Sequence, residues 1–133
     1  MHIAVIDEAA LIQDMLRSAL ELSGHQVETY STVPDQFAHC DLIILEPGED
    51  AQELIRLLPL LRSRALPMLI LTFYEENILL AHLNAFPALR KMPFVLSPLL
   101  ARIEQFGPQG MHQQQHDACS PIPLLKGPRP LCE

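Results

Sequence analysis

Lysine and arginine are nearly missing from the first part of this chain. Residues 1–53 hold eleven acids and one base, Arg17, a balance of −10, whereas residues 54–106 hold three acids and six bases, a balance of +3. The total is −7 over 133 residues. A nucleic-acid surface needs clustered Lys and Arg, so no nucleic-acid partner is expected. Cysteine is scarce too: Cys40, Cys119 and Cys132 are odd in number and scattered, which gives no disulfide framework. The longest uncharged apolar run, residues 67–74, falls short of the roughly 20 residues a bilayer span requires. Asp7 and Glu8 stand too close to the initiator Met for a signal peptide, so a cytoplasmic protein is expected.

Several catalytic signatures are also missing. No glycine-rich phosphate loop follows the first apolar run, where Asp7-Glu8-Ala9-Ala10 stands instead. That argues against nucleotide and flavin sites. A phosphatase built on paired aspartates would need a second aspartate where Ala9 lies, and Ser, His and Asp show no nucleophile-elbow spacing. No enzyme is expected. There is no internal repeat.

What is present has the size of one domain. An apolar fraction of 49% and a charged fraction of 19% suit a globular chain. The stretch that organises it is Asp41-Leu42-Ile43-Ile44-Leu45-Glu46-Pro47. A short apolar run closed by a carboxylate and a proline reads as a strand buried on both faces of a parallel sheet. In open α/β sheets function collects at the carboxyl ends of the strands, and Glu46 sits at such an end.

Along the chain, residues 2–6 read as a strand and residues 11–22 as a helix stopped by Gly24. Residues 26–30 alternate as a half-buried strand. A very short helix is expected over residues 34–38, opened by Pro34. After the central strand, residues 50–61 carry leucines at helical spacing, with a kink or stop expected at Pro59. Residues 67–72 read as a buried strand, 75–86 as a helix, 94–96 as a short strand and 98–106 as a last helix. The alternation predicts an α/β fold: a doubly wound, five-stranded parallel sheet with helices on both faces and a shortened second helix. Residues 1–106 form the expected domain. Residues 107–133 are a Pro/Gln-rich tail expected to be loosely packed.

Four fragments in this order resemble the receiver domain of bacterial response regulators, over about residues 2–106. Residues 3–12 look like its first strand, acidic pair and first helix. Residues 41–46 are similar to the strand ending in the phosphate-accepting aspartate, and residues 67–72 to the strand ending in the switch hydroxyl, here Thr72. Phe94-Val95-Leu96-Ser97-Pro98 looks like the fifth strand, with the switch aromatic at Phe94. In that family the acidic pair holds Mg²⁺, the aspartate takes a phosphoryl group, the hydroxyl binds it, and a strand-five lysine neutralises its charge. Positioning and charge stabilisation supply nearly all of such catalysis.

Departures from that pattern define the expected function. Glu46 replaces the acceptor aspartate, and one more methylene moves the carboxylate outward by about 1.3 Å. A shift of about 1 Å can cost roughly a hundredfold in rate. On this alignment Ser97 stands where the lysine should be, Phe73 replaces a small residue, and Arg90-Lys91 replaces a small Gly-Ala pair. The pair Arg90 and Lys91 reads as a solvated loop by default. The resemblance therefore implies a degenerate, stand-alone receiver that signals by protein–protein contact within two-component phosphorelays, without ordinary aspartate phosphorylation.

The partners implied are a histidine kinase, another response regulator or an effector, and a homodimer is allowed. The expected face is built by the fourth helix, fifth strand and fifth helix, with Leu79, Leu80, Leu83, Phe86, Leu99 and Leu100. No cofactor is required, although Asp7, Glu8 and Glu46 together would suit a weakly held Mg²⁺. Residues 107–133 leave no room for a DNA-binding effector, and His112, His116 and Cys119 lack the second ligand pair of a zinc site. Two alternatives stand beside this reading: an inefficient but working phospho-acceptor, and an inert truncated piece of a longer regulator.

Overall fold

A computed structural model describes residues 1–37, 39–91 and 96–107. The element order is β1 (His2–Ile6), α1 (Ala10–Leu22), β2 (Gln26–Tyr30), β3 (Leu42–Leu45), α2 (Ala51–Arg62), β4 (Met68–Thr72), α3 (Glu75–Leu83), β5 (Ala88–Arg90) and α4 (Leu96–Glu104). All five strands are parallel and lie in the order β2-β1-β3-β4-β5. The order in which strands are added reverses between β1 and β3, so the crevice at the ends of those two strands is the expected place for a site. Residues 1–97 form one compact unit, and α4 crosses its boundary at Ser97.

The sheet is buried because its central strands are apolar on both faces. On one face Ile6, Ile43, Leu45, Met68 and Ile70 pack with Leu54, Leu57, Leu58 and Leu61 of α2 and Ala81 of α3. By strand alternation Ile3, Val5, Leu42, Ile44, Leu69 and Leu71 point to the other face. There α1, which contacts β1 and β2, buries Leu16 and Leu20. At the far ends of the strands Asp41 accepts a hydrogen bond from the His2 backbone N–H at 2.8 Å. That bond holds the Asp41 carboxyl below the usual carboxylate range.

Three elements differ from expectation. The second helix is absent rather than shortened: between Tyr30 and Leu42 no helix forms among the described residues. The residues there turn back on β2 instead, with the Phe37 ring edge-on to Tyr30 at 5.9 Å. Pro59 does not stop α2, which runs on to Arg62. Four leucines seated on the sheet outweigh the hydrogen bond that the proline cannot donate. The fifth described strand is Ala88–Arg90; of the strand expected over residues 94–96, Leu96 opens α4 and the rest lies outside the described residues. The β5 ladder to β4 pairs Ile70 with Ala88 and Thr72 with Arg90, while Ser97 lies in α4 and residues 92–95 are outside the described residues.

Pro59 is exposed, so replacing it changes little besides the helix backbone. Pro59→Ala should raise unfolding stability by up to about 3 kcal/mol, measured by urea denaturation. An unchanged midpoint would mean that α2 carries no such cost.

Candidate functional site

Each strand of the crevice delivers one group at its carboxyl end. β1 runs into Asp7, β3 into Glu46, β4 ends on Thr72, and β5 runs into Lys91. Lys91 is fixed by its own backbone, whose N–H donates to the Thr72 carbonyl at 2.8 Å and extends the β4–β5 ladder by one rung. Its ammonium then reaches across the sheet ends. Nζ lies 2.6 Å from Asp7 Oδ2 and 3.0 Å from Glu46 Oε1. The Lys91 side chain is only 1% exposed, and those of Asp7 and Glu46 are 5% and 8% exposed. Phe73 closes the site from above, with its ring centroid 4.4 Å from Nζ.

Two carboxylates against one ammonium leave one buried negative charge, and the backbone absorbs it. Asp7 Oδ1 accepts from the Ala9 N–H at 2.9 Å. Glu46 Oε1 also accepts from the Phe73 N–H at 3.1 Å, and its Oε2 from the Gly48 N–H at 3.2 Å. Hydrogen bonds to the charged form stabilise a carboxylate where solvent cannot. Both oxygens of Glu46 are thereby engaged.

Thr72 is fully buried and does not point its bonding at Glu46. Its Oγ1 accepts from Asn77 Nδ2 at 3.1 Å and from the Tyr74 N–H at 3.2 Å. Asn77 Nδ2 also donates to the Gly48 carbonyl at 2.8 Å, which ties the loop after β3 to the start of α3. Asn77 is fully buried and its Oδ1 has no hydrogen-bond partner.

The sequence-based expectations fare unevenly. Asp7 and Glu46 do come together, but Glu8 is exposed at the rim. Among the described residues no group of three His, Cys, Asp or Glu is arranged to hold a metal. The trio expected to take Mg²⁺ is therefore not a ready ligand set, because Lys91 stands between two of its members. Ser97 lies in α4 rather than on a strand, and Lys91, read as part of a solvated loop, is instead buried against Asp7 and Glu46. Arg90 beside it is exposed, as expected, and pairs with Glu75. The expected switch aromatic, Phe94, lies outside the described residues, as do His112, His116 and Cys119.

On the expected contact face Leu79 and Leu83 are 56% and 82% exposed, and Leu80 is half-buried. Phe86 is half-buried against the core beneath the Arg62 guanidinium, 4.9 Å from its ring centroid. Leu99 is buried and Leu100 half-buried, so Leu99 offers no surface. The residues missed by sequence were Lys91 and Asn77. The one available signal for Lys91 was its place one residue beyond a run that could equally pair with β4.

No protein-family profile matches the chain, and no curated protein matches it. Solved structures do. The chemotaxis protein CheY4 of Vibrio cholerae is 20% identical, with a TM-score of 0.62 over 80% of this chain and 98% of that one. The response regulator TrrA of Thermotoga maritima, in complex with Mg²⁺ and beryllofluoride, is 17% identical, with a TM-score of 0.66 over 80% and 98%. A response regulator receiver domain protein from Clostridium thermocellum is 22% identical, with a TM-score of 0.63 over 79% and 92%. The chain therefore has the fold of response-regulator receiver domains.

Removing Lys91 strands two buried carboxylates. Lys91→Met should cost about 3–5 kcal/mol of unfolding stability. In an Asp7→Asn/Glu46→Gln background the same change should cost much less, because the groups form one network. Equal losses in both backgrounds, measured by urea denaturation, would contradict the ion-pair assignment.

Proposed function

We propose that this chain is an atypical receiver-like protein of bacterial two-component signalling, one that works by contact with another signalling protein and does not undergo ordinary aspartate phosphorylation. The observation that carries the reading is the state of Glu46. A phosphate acceptor must offer a free carboxylate oxygen, and here Lys91 and the Phe73 N–H hold one oxygen while the Gly48 N–H holds the other. The carboxylate occupies the anion niche that an incoming phosphoryl group would need. The Thr72 oxygen accepts from Asn77 and from the Tyr74 N–H.

The protein then needs no cofactor. A Mg²⁺ ion would have to displace the Lys91 ammonium from Asp7, so binding at Asp7 and Glu8 is weak. Its partners are a histidine kinase, another regulator or an effector, with a homodimer as the self-associating case, all in the cytoplasm. No helix among the described residues is long and apolar enough to cross a membrane. Exposed Leu79 and Leu83 on α3 supply apolar contact surface.

A second reading, an inefficient phospho-acceptor, draws on the same site: Asp7, Thr72 and Lys91 are all at the strand ends, so only the acceptor is altered. Intact-mass measurement after incubation with acetyl phosphate and Mg²⁺ separates the two. The wild-type chain should show no phosphoryl adduct, whereas Glu46→Asp, shorter by one methylene, should gain one. A stable Mg²⁺-dependent adduct on the wild type would establish the second reading instead.

A further inference from the structure

Each other crossover within residues 1–97 carries a helix: α1 between β1 and β2, α2 between β3 and β4, α3 between β4 and β5. The β2–β3 connection has none among its described residues. Beside it opens a cavity of about 620 Å³. Its floor is apolar, from Ile6, Leu45 and Leu57, with Val33 on one side and Leu60 on the other. Leu60 is 43% exposed, a large apolar side chain at the lip.

The walls are acidic. Glu8 and Asp35 stand on one side, and Glu49, Asp50 and Glu53 line the loop and first turn of α2. Counting Glu46, six carboxylates face a single guanidinium, that of Arg56. Arg56 is itself paired with Glu53 and holds that carboxyl below the usual range. Glu46 is committed to Lys91, while Glu8, Asp35 and Glu49 have no ion pair among the described residues. These acids do not form a chelate, since no metal-holding group is present among the described residues. They act as a negative field around an apolar trough.

We infer that this groove docks a basic amphipathic helix of a partner protein, which takes the place of the helix the crossover lacks. An amphipathic helix lays apolar residues at positions i, i+3 or i+4 and i+7 into such a trough. Here those residues meet Val33, Leu57 and Leu60, and flanking Lys or Arg side chains reach Glu8 and Asp35 on one wall and Glu49 and Asp50 on the other. An acidic peptide or a nucleic acid is repelled. A second copy of this chain, with its charge of −7, is disfavoured in the same way. The inference rests on the reading that the chain acts by protein contact, but not on the chemistry of Glu46.

The test is fluorescence anisotropy with the full chain and two labelled synthetic peptides of Leu and Lys, one with its leucines on a single helical face and one a scramble of the same composition. The amphipathic peptide should bind at least about tenfold more tightly, a difference of about 1.4 kcal/mol, and weaken as salt is raised. Asp35→Lys/Glu49→Lys and, separately, Leu60→Asp should each weaken it by about tenfold or more. Glu21→Lys on α1 should leave it unchanged. All the altered side chains are exposed, and circular dichroism checks that each variant remains folded. Equal binding of the two peptides, or wild-type affinity in both groove variants, would overturn the inference. Peptide discrimination is read by anisotropy and a phosphoryl adduct on Glu46 by intact mass, so the two proposals fail separately.

Discussion

A single buried ammonium sets the terms for the mouth of this sheet. Taking Lys91 out of water costs several kcal/mol, and only close pairing with carboxylates offsets it. Asp7 and Glu46 supply that pairing at 2.6 and 3.0 Å, and backbone N–H groups stabilise what remains of their charge. The arrangement fixes which strand is fifth. A three-residue strand has little ladder of its own, and the chain can stay in register beside β4 because the residue that follows is anchored across three other strand ends.

The glutamate fills the middle of this arrangement, with both of its carboxylate oxygens engaged. Its added reach of about 1.3 Å carries a carboxylate oxygen to the Phe73 N–H at the far side of β4, while the second oxygen folds back on the Gly48 N–H. Phe73 contributes twice, by its backbone to the anion and by its ring to the cation. Neither contact needs a metal or a phosphate to complete it. The threonine oxygen accepts from Asn77, whose amide also ties down the loop after β3.

Much of the fold was legible. The apolar runs at residues 42–45 and 68–72 carry their own burial signal, and the helix over residues 10–22 ends where Gly24 can take its positive φ. What failed did so for identifiable reasons. Phe94-Val95-Leu96 has strand-forming side chains and a proline after it, whereas Ala88-Leu89-Arg90 has almost none of that propensity and is a strand only because β4 offers an edge. Moving the strand moved the lysine: two adjacent bases look solvated in a sequence, and nothing local reveals that one of them crosses to acids more than forty residues away. The second helix was expected from a capping pattern at Ser31-Thr32-Val33-Pro34, yet packing of Phe37 against Tyr30 won over it.

The extra rung formed by the Lys91 N–H has a mechanical consequence. Because main chain and ammonium of one residue serve as latch and bolt, discharging the acids inside would also release the border of the sheet. The outermost strand is then a gauge of the electrical state within, and it would fray before the central strands loosen.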